Sequence, residues 1–154
     1  MHARFFRLIY GILLAAALYG FLVWLSGFIL IRSIEARYGL EVHGLWYPTR
    51  VVPGFLRIQR PQIRWKERLT LNSSVGELNI RFNPIFHWSG TAVLWVTGKN
   101  LQVEFGKRYS NAVEGGLISI DEISVRIELP KLGEPVIRDL EIKSPMIQFQ
   151  MKAK

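Results

Sequence analysis

The chain has 154 residues, a formal net charge of +8, no cysteine and 49% hydrophobic residues, and much of that apolar content lies at the amino-terminal end. The lack of cysteine excludes disulfides, thiolate metal sites and thiol catalysis. The histidines His2, His43 and His87 share no ligand spacing, so no metal site is expected.

Residues 1–7 form a short basic tail carrying His2, Arg4 and Arg7. Residues 8–31 then read LIYGILLAAALYGFLVWLSGFILI, without a charge or a proline. As a helix this run is roughly 36 Å long, enough to cross a hydrocarbon core of about 30 Å. A cleaved signal peptide would carry a shorter apolar region and a small-residue cleavage site. This run closes on Phe28, Ile29, Leu30 and Ile31, which favours a retained transmembrane helix. Arg32 and Arg37 follow it together with Glu35, so positive charge flanks both ends. The positive-inside rule acts on short flanks, which assigns the tail to the cytoplasm and everything after Arg32 to the other side. In a bacterium this is a single-pass inner-membrane protein with a periplasmic domain. Residues 32–39 read as a connector ending near Gly39.

From residue 40 onward the pattern is β. Leu56 and Ile58 are followed by Ile63 and Trp65, Leu94 and Val96 by Leu101 and Val103, and Leu140 and Ile142 by Ile147 and Phe149. Side chains alternate faces with a period of two, so each five-residue step would turn the second pair to the wrong side of a regular strand. Pro61, Gly98 and Pro145 lie in the steps, and a kink or bulge is expected at each. The spacing predicts strands at about 55–66, 68–82, 91–106, 116–129 and 135–151, after a short one near 40–47. The second changes phase between Leu71 and Leu78, with Gly76 marking the switch and Ser73 and Ser74 as bulge residues. Connections are short or glycine-bearing, with no helical period, which requires antiparallel pairing. The expected fold is mainly β with one N-terminal transmembrane helix, its long, kinked antiparallel strands forming a curved meander or β-taco over residues 40–154.

Such a sheet has one apolar face and no later helix to cover it. It can fold over on itself, be plugged by the helical connector, or meet a lipid or a partner. Candidate groove residues are Ile63, Trp65, Leu101, Val103, Phe105, Ile147 and Phe149. The last strand ends the sheet, and Ile147, Gln148, Phe149 and Gln150 offer an edge to which another subunit could add a strand. Catalysis has little support. Asp121 and Glu122 are adjacent and point to opposite faces of a strand, and neither a phosphate loop nor a nucleophile elbow is present. No catalytic residue, metal or cofactor is expected. Arg57, Arg60, Arg64, Lys66 and Arg68 cluster near the first hairpin. A tethered extracytoplasmic domain has little access to nucleic acid, which leaves anionic headgroups or a solvated outer face as the readings.

These phrases resemble the AsmA-like family, the AsmA- and TamB-type periplasmic β-taco proteins. Pro61, Ile63 and Trp65 are similar to its P-x-I-x-W phrase. Leu78, Ile80 and Phe82 lead into Asn83-Pro84 as its strands lead into N/D-P. Gly98, Leu101 and Val103 resemble G-x-x-L-x-V, and Leu140, Ile142, Pro145 and Ile147 resemble L-x-I-x-x-P-x-I. The resemblance covers nearly the whole chain through its amino-terminal anchor and first β module. It implies a hydrophobic groove that guides phospholipid between membranes or assists envelope assembly. Family members typically continue for hundreds of residues, and about six strands give roughly 30 Å of groove, which implies partner subunits joined by strand addition or helix packing. The alternative is a non-catalytic structural or docking subunit of an inner-membrane complex.

Overall fold

A computed structural model describes residues 2–65, 69–85, 90–105, 116–144 and 148–152. Helix α1 (His2–Tyr38) runs unbroken for 37 residues, so the connector is the last part of the same helix. Among the described residues it is the one helix long and apolar enough to cross a membrane. It stops at Gly39, which has φ +62° and donates its N–H to the Glu35 carbonyl at 3.1 Å. Glycine takes this left-handed stop without a Cβ clash. The Glu35 carboxylate accepts from Arg32 at 2.9 Å and from the Val42 N–H at 3.1 Å, tying the helix end to the first strand.

The strands are β1 (Leu40–Pro48), β2 (Phe55–Trp65), β3 (Leu69–Asn72), β4 (Glu77–Phe82), β5 (Thr91–Phe105), β6 (Gly116–Pro130), β7 (Val136–Lys143) and β8 (Gln148–Lys152). They form one antiparallel sheet in chain order, with β3 and β4 sharing the position between β2 and β5. The mainly β class with a single N-terminal helix is the observed one.

The expected kinks in the first two units align in a crease across the sheet. Pairing of β1 with β2 runs to Leu45↔Gln59 and resumes at His43↔Gln62, so Arg60 and Pro61 together face Gly44. Arg60 takes φ +50° at this bulge. One strand over, the break between β3 and β4 is held by Ser73, whose Oγ donates to the Asn100 carbonyl at 2.8 Å and accepts from the Gly76 N–H at 2.6 Å. In β5, where a kink is expected at Gly98, the left-handed residue is Asn100, φ +52°. Gly98 supplies space instead: a Cβ there would stand 2.7 Å from Leu78 Cδ2 and 2.9 Å from Ile123 Cγ2. β6 switches phase at the same level, from Ile118 and Ile120 to Ile123 and Val125, while its register with β5 is unchanged from Lys99↔Glu122 to Leu101↔Ile120. Because paired strands switch together, one face stays apolar along its whole height.

The third unit is different. Residues 135–151 do not form one kinked strand. β7 and β8 pair antiparallel, with Leu140↔Met151 and Ile142↔Phe149. A reversal and a kink can both return apolar residues to one face, so alternation does not distinguish them; Pro145 lies outside the described residues.

Of the alternatives for the apolar face, cover by the helix is seen, and it begins before the connector. Leu30 and Ile31 of α1 are buried in one cluster with Leu56, Ile58, Leu94 and Leu101 of the sheet. Trp24 stacks on Trp46 at 5.4 Å between centroids, and Phe28 lies 6.5 Å from the same ring. Gly27 allows the close approach, since a Cβ there would sit 3.1 Å from Leu56 Cδ1. The carboxy-terminal part of the apolar helix is thus part of the domain core.

Candidate functional site

Helix residues three and four apart share a face, and the face of α1 turned to the sheet carries Leu30, Ser33, Ile34, Arg37 and Tyr38. Together with Gly90, Ala92, Leu129 and Lys131 they line a cavity of about 210 Å³. Ala92 and Leu129 are register partners on β5 and β6. The main chain closes just beyond them, where the Lys131 N–H donates to the Gly90 carbonyl at 2.7 Å. The lining combines apolar side chains with two exposed cations, Arg37 and Lys131. The Tyr38 hydroxyl is buried without a hydrogen-bond partner in the described structure. The volume lies below the roughly 300–1,000 Å³ of drug-sized sites, which suits a segment of an apolar chain.

The residues expected to line a groove separate into zones. Leu101 and Val103 are buried by the protein itself. Ile63 is half-buried opposite Val42 and Leu71. Trp65 is 46% exposed at the end of β2, opposite Leu40 and Leu69. In backbone register Phe105 faces Gly116 and Leu69, Phe149 faces Ile142, Gln148 faces Lys143 and Gln150 faces Glu141. Ile147 lies outside the described residues. The cavity residues Leu30, Ile34, Arg37 and Tyr38 were not among the candidates, because residue 30 reads as lipid-facing and the others as connector. The signal that could have found them is the spacing Leu30, Ile34, Tyr38, which carries a helical stripe past the last residue of the apolar run.

The basic cluster is dispersed. Arg57 donates to Asn79 at 2.8 Å and lies 3.5 Å from Glu77. Arg60 sits in the bulge, Arg64 is exposed, and Lys66 and Arg68 lie outside the described residues. A second basic row crosses the sheet in register through Phe55, Arg81, Trp95 and Arg126. There the Arg81 guanidinium lies 5.9 Å from the Phe55 ring and 5.2 Å from Trp95, and Arg126 lies 5.8 Å from Trp95. These cation–π contacts cover large aromatics on the polar face. Glu122 pairs with Lys143 at 3.2 Å. Its hydrogen bond and charge, with those of Glu141, hold the Lys143 ammonium pKa above the ordinary 10.5. Among the described residues no group of three or more His, Asp or Glu could hold a metal ion. No family model, curated protein or solved structure matches this chain.

Proposed function

We propose that this protein is a non-catalytic, membrane-anchored lipid-handling module, AsmA-like in kind, acting in intermembrane lipid transport or envelope assembly. In this reading α1 crosses a bacterial inner membrane with residues 1–7 in the cytoplasm and the sheet in the periplasm. The observation that carries it is the cavity between α1 and the sheet, with its apolar lining and its cations Arg37 and Lys131. An acyl segment fits the lining, and a phosphate oxygen fits the cations. The test is photocrosslinking in membranes of the producing cell, with diazirine side chains at Ile34 and Leu129 and an outer-face control at exposed Gln102. Phospholipid adducts at the first two positions and none at the third are expected. Equal labelling at all three would mean membrane proximity alone and would sink the reading.

A second reading, a docking subunit, is favoured by one observation: the described strand order ends at β8, which pairs with β7 alone. A partner strand added there would extend the sheet.

A further inference from the structure

We propose that the loop joining β1 to β2, residues 49–54, is an apolar wedge inserted in the lipid interface beside α1. This rests on the reading of α1 as a membrane span. The height of the loop follows from how β1 runs along the helix. The Val42 N–H donates to the Glu35 carboxylate at 3.1 Å, whereas the Trp46 ring stacks on Trp24 and stands 3.3 Å from where a Gly27 Cβ would be. Four residues of strand, about 13 Å, thus return along the helix from Glu35 to about Ser26, also about 13 Å. β1 therefore runs antiparallel to α1, and two further residues bring Pro48 to about the level of Leu22. The loop begins at that height, where Leu18, Tyr19, Phe21 and Leu22 of the apolar helix are exposed.

The surface of the loop suits lipid. Val51 is 76% exposed and Val52 58%. The Thr49 N–H donates to the Phe55 carbonyl at 3.2 Å and the Phe82 N–H to the Gly54 carbonyl at 2.9 Å, so both ends of the loop are tied into the sheet. Exposed Arg50 lies over the Phe55 ring at 4.3 Å, next to Val51, as cations do that reach headgroups from a shallowly buried apolar surface. Length supports the same placement. Val23 is buried, so the uncharged helix free of the domain runs only over residues 8–22. That is about 22 Å, about 8 Å short of a hydrocarbon core of about 30 Å. A short span can be accommodated by bringing flanking groups into the interface, and this loop is the apolar group at the required height. Isolated exposed aliphatics are ordinary, and the loop 131–135 supplies one for contrast. Its Leu132 is 90% exposed, but Lys131 lines the cavity with Arg37 and Tyr38. Those helix residues lie about 20 Å beyond Val23, which keeps Leu132 in water.

The chain has no cysteine, so single-cysteine variants of the full protein can carry an environment-sensitive fluorophore. Val51→Cys reports on the wedge, Leu14→Cys on the span, and Leu132→Cys is the equally exposed control. The labelled proteins are placed in nanodiscs of phosphatidylcholine and phosphatidylglycerol, with or without brominated acyl chains. Lipid brominated high on the chain should lower emission at 51 about two-fold, as for interfacially buried groups, and leave 132 unchanged. Equal quenching at 51 and 132 would show that height along α1 does not govern lipid contact and would overturn the wedge. Quenching at 14 with a probe at 51 that behaves like 132 would overturn this inference alone and leave the span intact. An unquenched probe at 14 in lipid brominated along the whole chain would overturn the span and the wedge with it. A blue-shifted probe at 51 that brominated lipid does not quench would place protein there, a second copy or another helix, and overturn the wedge.

Discussion

At the scale of single residues, the crease depends on side chains that replace ladder hydrogen bonds or vacate space. Ser73→Ala removes the partner of both the Gly76 N–H and the Asn100 carbonyl. Unpaired buried groups cost about 1–3 kcal/mol, so denaturant midpoints should fall accordingly, whereas exposed Ser74→Ala should stay within about 0.5 kcal/mol of wild type. Gly98→Ala should also destabilise, by about 1–3 kcal/mol, because the new methyl meets Leu78 and Ile123 on a packed face. Lys143 gives a pH signature. Its folded pKa is raised, so its contribution is fully present below its unfolded value of about 10.5 and is lost as pH rises through the folded value. Glu122→Gln should return the Lys143 titration, followed by NMR, toward the ordinary lysine range, and the stability difference between wild type and Lys143→Met should fade at alkaline pH.

Among the elements, α1 is the one whose role changed most between sequence and structure. A chain beginning at Leu40 lacks Leu30 and Ile31 from the shared core. It should bind the dye ANS strongly and aggregate, while a chain beginning at Phe21 should remain soluble and unfold cooperatively. Equal behaviour of the two would show that the sheet closes without the helix. Trp46→Ala removes the ring on which Trp24 stacks, and trypsin should then cut faster at exposed Arg32 and Arg37. The strands were largely legible: four of the six expected ones lie within a few residues of the observed limits, and a fifth, 68–82, is divided into β3 and β4 at its phase change, because period-two alternation survives a bulge once the phase change is allowed for. The β7–β8 reversal was not legible, since Ile142 and Phe149 share a register position in a hairpin as they would share a face in a kinked strand. The switch in β6 was readable from the step between Ile120 and Ile123 but carried no glycine or proline to mark it. The cavity was hidden for another reason. Leu30 satisfies both lipid and a protein core, and composition does not say which solvent an apolar residue meets.

For the molecule as a whole, the last strand sets what can be added. If β8 receives a partner strand, Gln148→Pro or Gln150→Pro should abolish copurification while the anchored domain stays folded, because proline removes an amide donor from whichever edge that residue presents. A partner retained at native affinity by both variants would place assembly in the helix or the loops. The unbroken passage of α1 from its exposed amino-terminal half into the core has its own consequence. A domain joined to its anchor through a flexible tether samples a hemisphere and meets partners at any height and angle. This one has no tether: the rod that holds it is also a beam inside it. With α1 as the proposed membrane span, its height and facing would be set by the helix, and a partner in the same plane would find it by lateral diffusion and rotation about one axis alone.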